Sequence, residues 1–151
     1  MAQERDELFT PSLTQTSRRL LDEGERPWRL GSQFYVAFFG GPLGAATVGW
    51  LNGGRLQLPP ARRVAIAAAG LAAFALAAVL VRVVDSEWAS PRFVLSATGL
   101  LAYAVSRWLQ HAADRRYGIG EEDPYDSLWG PGLAIVLVCG FASAAALLVL
   151  E

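Results

Sequence analysis

Cysteine and histidine occur once each in 151 residues, as Cys139 and His111, lysine does not occur, and charged residues make up only 18% of the chain. A single thiol excludes a disulfide framework and a Cys-based zinc site, and a single imidazole excludes a His-rich metal centre, so no metal or other cofactor is expected. A formal charge of −1 leaves no broad cationic face, which removes nucleic acid from the partner classes. The signatures of phosphate loops, HExxH metalloproteases and GxSxG hydrolases are missing, as are paired intramembrane aspartates, so an enzyme is not expected. The start of the chain is polar (Glu4, Arg5, Asp6 and Glu7 come first) and lacks the early apolar core of a secretion signal.

What the chain has in quantity is apolar surface, with 53% hydrophobic residues and a mean hydropathy of +0.30. Its 13 basic and 14 acidic residues leave four charge-free windows, Leu30 to Gly54, Val64 to Val81, Phe93 to Ser106 and Ser127 to Leu150. As helices these reach about 37, 27, 21 and 36 Å, against a hydrocarbon core of about 30 Å. The expected fold is therefore all-α: a four-helix transmembrane bundle over residues 30–151, with spans near 32–51, 62–83, 92–110 and 129–150. The third window is short, so Arg92 and Arg107 must snorkel or stay inside the bundle. Trp28 and Trp50 bracket the first window, Trp88 and Trp108 the third, and Trp129 opens the fourth, as anchors in the headgroup layer would.

Asn52-Gly53-Gly54 and Pro59-Pro60 predict a tight turn between the first two helices, and residues 111–126 an exposed acidic loop. Residues 1–29 form a polar tail in which Leu13, Leu20 and Leu21 share one helical face, either as an interfacial helix or as a frayed segment. Four crossings place both termini on one side. Arginines divide six against six, so the charge rule does not orient the chain, and cytoplasmic termini are expected because an unsignalled charged tail is easier to retain than to translocate.

Small residues mark packing faces: Gly40 with Gly44, Gly41 with Ala45 and Gly49, the row Ala61, Ala65, Ala69, Ala73, Ala77, and Gly140 with Ala144. Pro42 cannot donate to the carbonyl of Phe38, which predicts a kink and a free oxygen at membrane depth, although proline and glycine also serve packing alone. The candidate polar site is Arg107, His111 and Asp114, which share one helical face beside Gln110. There His111 can exchange protons with Asp114 while Arg107 holds an anion, or the helix simply leaves the membrane with its charges solvated.

The run Gln33-Phe34-Tyr35-Val36-Ala37-Phe38-Phe39-Gly40-Gly41-Pro42-Leu43, followed by Asn52 and Arg55, resembles the opening hairpin of small, uncharacterised multi-span bacterial integral membrane proteins. That resemblance implies no activity and transfers no functional residue. Arginine without lysine, with much Ala, Gly and Leu, fits a GC-rich bacterial genome. The expectation is a multi-pass protein of the cell membrane whose partners are the lipid bilayer and a homo-oligomer or larger membrane complex. It acts as a structural or accessory subunit through helix packing; the alternative is a small permease or channel using the Pro42 kink and the Arg107/His111/Asp114 face.

Overall fold

The first apolar window does not form one rod. The computed structural model describes residues 26–84, 90–117 and 125–150, and side chains through Ala146. Among these residues the chain is all-helical: a 3₁₀ turn Leu30–Ser32, then α1 (Gln33–Arg55), α2 (Pro60–Val83), α3 (Pro91–Tyr117) and α4 (Trp129–Leu150). The tail with its proposed interfacial helix, Trp88 and most of the acidic loop lie outside the described residues. Three stretches, Leu30–Arg55, Pro60–Val83 and Trp129–Ala146, are long and apolar enough to cross a membrane. Of these the first is folded on itself.

A straight α1 of 23 residues would be about 34 Å long and would keep Trp28 far from Asn52. Instead the Trp28 N–H donates to Asn52 Oδ1 at 2.7 Å. The reversal sits at Gly41, whose φ of 66° and ψ of −161° are open essentially to glycine alone. Around it the arm 33–40 and the arm 42–55 lie side by side, so that a Cβ on Gly44 would stand 2.9 Å from the Val36 carbonyl oxygen, eight residues earlier. Pro42 follows as the first residue of the returning arm, where its missing N–H has no helical partner to lose. The expected Pro42 kink in a continuous 32–51 span is thus corrected to a hairpin turn made by Gly41. Both ends of α1 lie at one end of the molecule, here the basal end, and its tip lies beside Gly70, about 16 Å along α2.

The remaining helices wrap this hairpin. α3 faces both arms, with Leu95 and Gly99 at the tip, Ser106 at Gly49 and Gln110 at Asn52. α2 runs antiparallel to the returning arm, with Ile66 at Gly49 and Gly70 at Ala46. α4 packs principally on α1, Val136 against Gly40 and Cys139 against Thr47. The turn expected at Asn52-Gly53-Gly54 is helix; α1 ends two residues later in a Schellman arrangement, Leu58 N–H to Gly53 O and Gln57 N–H to Gly54 O at 2.8 and 3.0 Å, with Gln57 at φ 52°.

Small residues do mediate close approach, but not always those expected. Gly40, Gly41, Gly44, Ala45, Gly49 and Ala73 face neighbours, whereas Ala65 and Ala144 are exposed and Ala69 and Gly140 only half-buried. A row of i+4 steps drifts about 40° per step around the axis, so the alanine ridge of α2 rotates off its contact. The buried face is Ile66, Gly70, Ala73 and Ala77. Gly70 against Ala46, Gly99 against the Ala37 carbonyl and Gly132 against the Tyr35 hydroxyl leave no room for a Cβ. The tryptophans also divide. Trp108 and Trp129 are 77% and 75% exposed, as interface anchors would be, and Trp50 is half-buried. Trp28 is a core residue at 3%, packed with Val36, Val48 and Leu128, because the hairpin brings it beneath the returning arm.

Substituting Gly41→Ala is expected to destabilise the protein by about 1–3 kcal/mol through backbone strain alone. Gly130→Ala, where a Cβ meets nothing within 4 Å, is expected to be neutral or slightly stabilising. Thermal unfolding in detergent compares the two.

Candidate functional site

α3 carries polar residues on two faces with opposite fates. On the outer face Arg107 and His111 are exposed and Asp114 is half-buried, and no hydrogen bond or ion pair joins the three among the described residues. Arg107 Nη1 donates to the Tyr103 hydroxyl at 3.2 Å, and that hydroxyl donates to the Leu30 carbonyl at 3.2 Å. The Tyr125 hydroxyl donates to Asp114 Oδ1 at 3.1 Å. Burial pushes the Asp114 carboxyl above its ordinary range, against the lowering effects of the Tyr125 bond and the charges of His111 and Arg107. Tyr125 is pushed up to about 12, first by burial and then by the Asp114 carboxylate, so it stays a donor at any physiological pH. This face ties α3 to the segment before α4.

The inner face holds a site that sequence reasoning missed. Asn52, Gln110 and Ser106 are all but inaccessible, at 0%, 0% and 2%. Asn52 Nδ2 donates to Gln110 Oε1 at 2.8 Å, and Gln110 Nε2 donates to Ser106 Oγ at 2.7 Å, while Asn52 Oδ1 receives the Trp28 N–H. Each amide is oriented by a bond on both sides, and the chain of bonds fastens the entry segment to the returning arm and to α3. A signal was present: Thr98, Ala102, Ser106 and Gln110 recur every four residues along α3, three of them polar and neutral, and all four are buried.

A third cluster closes the basal end. The Arg55 guanidinium lies 3.9 Å over the Trp28 ring, donates to the Arg26 carbonyl at 2.9 Å and pairs with Asp126 at 3.6 Å. The Asp126 N–H donates to the Pro27 carbonyl at 3.0 Å in an isolated parallel bridge. Arg63 stands over Trp50 at 4.5 Å. One arginine therefore holds three separate pieces of chain together.

Between the first half of α3 and α4 lies a cleft of about 1230 Å³. Phe38 to Gly41 form its floor, Leu95 and Ser96 one wall, and Leu133, Leu137 and Phe141 the other; Arg29 and Tyr125 stand at its basal mouth and Arg92 at the opposite one. Gly140 and Ala144, expected to pack helices, line this space. The Phe38 carbonyl, expected to be free at depth, accepts from Ser96 Oγ at 2.9 Å. Ser143 Oγ, in the cleft wall, is buried without a hydrogen-bond partner among the described residues.

Two outcomes check this account. Gln110→Leu strands the amide of Asn52 in the interior and is expected to cost about 1–3 kcal/mol, with Asn52→Ala/Gln110→Leu costing less than the sum of its single changes. A carboxyl whose folded pKa is raised binds its proton more tightly in the folded state, so stability falls as pH rises from the ordinary carboxylate range through the raised value. Asp114→Asn is expected to flatten that fall in a pH series of melting temperatures without loss at neutral pH. Comparison with protein-family models, with curated proteins and with solved structures gives no match.

Proposed function

We propose that this chain is an integral protein of the cell membrane that acts as a structural or accessory subunit, with three crossings, α2, α3 and α4, and one re-entrant hairpin, α1. The observation that carries the accessory role is that the Phe38 carbonyl, which Pro42 leaves without its helical donor, is taken up within the molecule. Phe38 O takes the Ser96 hydroxyl, 58 residues on in α3. Transporters with broken helices turn such groups toward a cargo; here that carbonyl closes the fold. A permease around Pro42 and the Arg107/His111/Asp114 face has less support, since Arg107 and His111 sit on the outside and Pro42 is not part of the cleft lining.

Lipid as the surrounding solvent accounts for Leu71, Leu76, Val79 and Val83 on α2 and Val138 and Phe141 on α4, all exposed. The hairpin also changes the charge count. Among the described residues Arg26, Arg29, Arg55, Arg62, Arg63, Arg107, Arg115 and Arg116 belong to the basal half and Arg82 and Arg92 to the other, eight to two, an excess that supports a cytoplasmic basal end.

Cysteine labelling in a Cys139→Ser background tests the topology. Arg26→Cys and Arg62→Cys are expected to react from the same, cytoplasmic, side and Ser90→Cys from the other; reaction of residues 26 and 62 from opposite sides would restore four full crossings. For the accessory role, a stoichiometric partner chain is expected to co-purify in mild detergent. Solute flux in proteoliposomes that is lost in His111→Ala or Arg107→Ala would favour the permease instead.

A further inference from the structure

The cleft between α3 and α4 is too large to be a packing fault. At about 1230 Å³ it exceeds the roughly 300–1,000 Å³ of ordinary small-molecule sites, and it runs from the basal mouth to the first turn of α3. Its interior is apolar, lined by Phe38, Phe39, Leu95, Leu137 and Phe141, while its far mouth carries an arginine. Arg92 stands there exposed, and no carboxylate pairs with it among the described residues. It belongs to the first turn of α3, whose N-terminus adds the partial positive charge of its backbone N–H groups. Arg29 at the opposite mouth is engaged over the Tyr125 ring at 5.6 Å, and Asp126 there is paired with Arg55. Within the wall, Ser143 Oγ is a buried hydroxyl with no partner among the described residues. An apolar trough, a cation at headgroup level and one unanswered donor below it are the complement of a single kind of molecule.

We infer that the cleft is a specific site for one anionic phospholipid of the outward-facing leaflet. Its phosphate meets Arg92 and the first turn of α3, an ester carbonyl accepts the Ser143 hydroxyl, and its acyl chains fill the trough down to the Gly40–Gly41 tip. The bound lipid completes the contact between α3 and α4, which the protein itself leaves open. This rests on the membrane-inserted topology above but not on the accessory role.

The test uses the full chain in nanodiscs of equal parts phosphatidylcholine and phosphatidylglycerol, followed by native mass spectrometry of the released protein. The wild type is expected to retain one phosphatidylglycerol. Arg92→Gln is expected to lower its preference for phosphatidylglycerol over phosphatidylcholine about fivefold, the worth of one arginine near the headgroups, with Arg92→Lys restoring much of it. Ala144→Phe, which projects into open cleft and leaves the packed faces alone, is expected to abolish retention of either lipid while the protein stays folded. Equal retention in wild type, Arg92→Gln and Ala144→Phe would reduce the lipid to annular contact and overturn the proposal, as would a protein chain displaced by Ala144→Phe in place of lipid. If cysteine labelling gives the expected sides and the lipid does not bind, only this inference fails; if the labelling itself fails, the membrane reading falls with it.

Discussion

Every peptide group carried away from water must find a hydrogen-bond partner inside the protein, and in this chain a break within α1 gathers that demand at one place. Gly41 turns α1 back through a conformation that only glycine holds without strain, which leaves carbonyls at the end of one arm and N–H groups at the start of the next. The rest of the molecule is arranged around those ends. Ser96 supplies a hydroxyl to Phe38, while Gly99 and Gly44 let carbonyls approach where a Cβ would collide or crowd them. α2 and α3 bury their narrowest faces against the hairpin because the hairpin, not a fourth straight helix, is the centre of the bundle.

Polarity is zoned accordingly. The basal half holds the Asn52–Gln110–Ser106 bonds, the Arg55 clamp and the Tyr125–Asp114 contact, each joining segments distant in sequence. Buried amides are costly when half satisfied, and a linear run in which each is held on both sides fixes the register of α1 against α3 more sharply than apolar packing does. Toward the opposite end the Ser96–Phe38 bond joins α3 to the tip of α1. There α3 and α4 diverge over the cleft, and shape is left to the solvent that surrounds them.

The apolar windows and their lengths were legible in the sequence because helix length and hydropathy are local properties, and the all-helical fold follows from them. The path of the first window was not. Proline drew attention to the right peptide, yet the residue that turns the chain is the glycine before it, and Phe-Phe-Gly-Gly-Pro reads equally well as a packed, gently bent helix. Reading one straight span moved Trp28 to the interface; with the hairpin it becomes a core residue. Arg107, His111 and Asp114 stood out because charge in a largely apolar chain is conspicuous, whereas Gln110 and Asn52 are neutral and were read only as a neighbour of that face and as part of a turn, not as partners. Gly70, Gly99 and Gly132 could not be ranked above other small residues without knowing which element lies opposite.

The parallel bridge between Trp28 and Asp126 has a consequence for synthesis. The segment that leads into the hairpin is clasped by one that the ribosome delivers nearly a hundred residues later, and Tyr35 likewise waits for the Leu128 carbonyl. Until α3 and the chain before α4 emerge, the arm 33–40 has neither its wall nor its latch. Folding of these segments is therefore a closing-up from the back, in which the arm 33–40 reaches its final place only after the later segments that hold it.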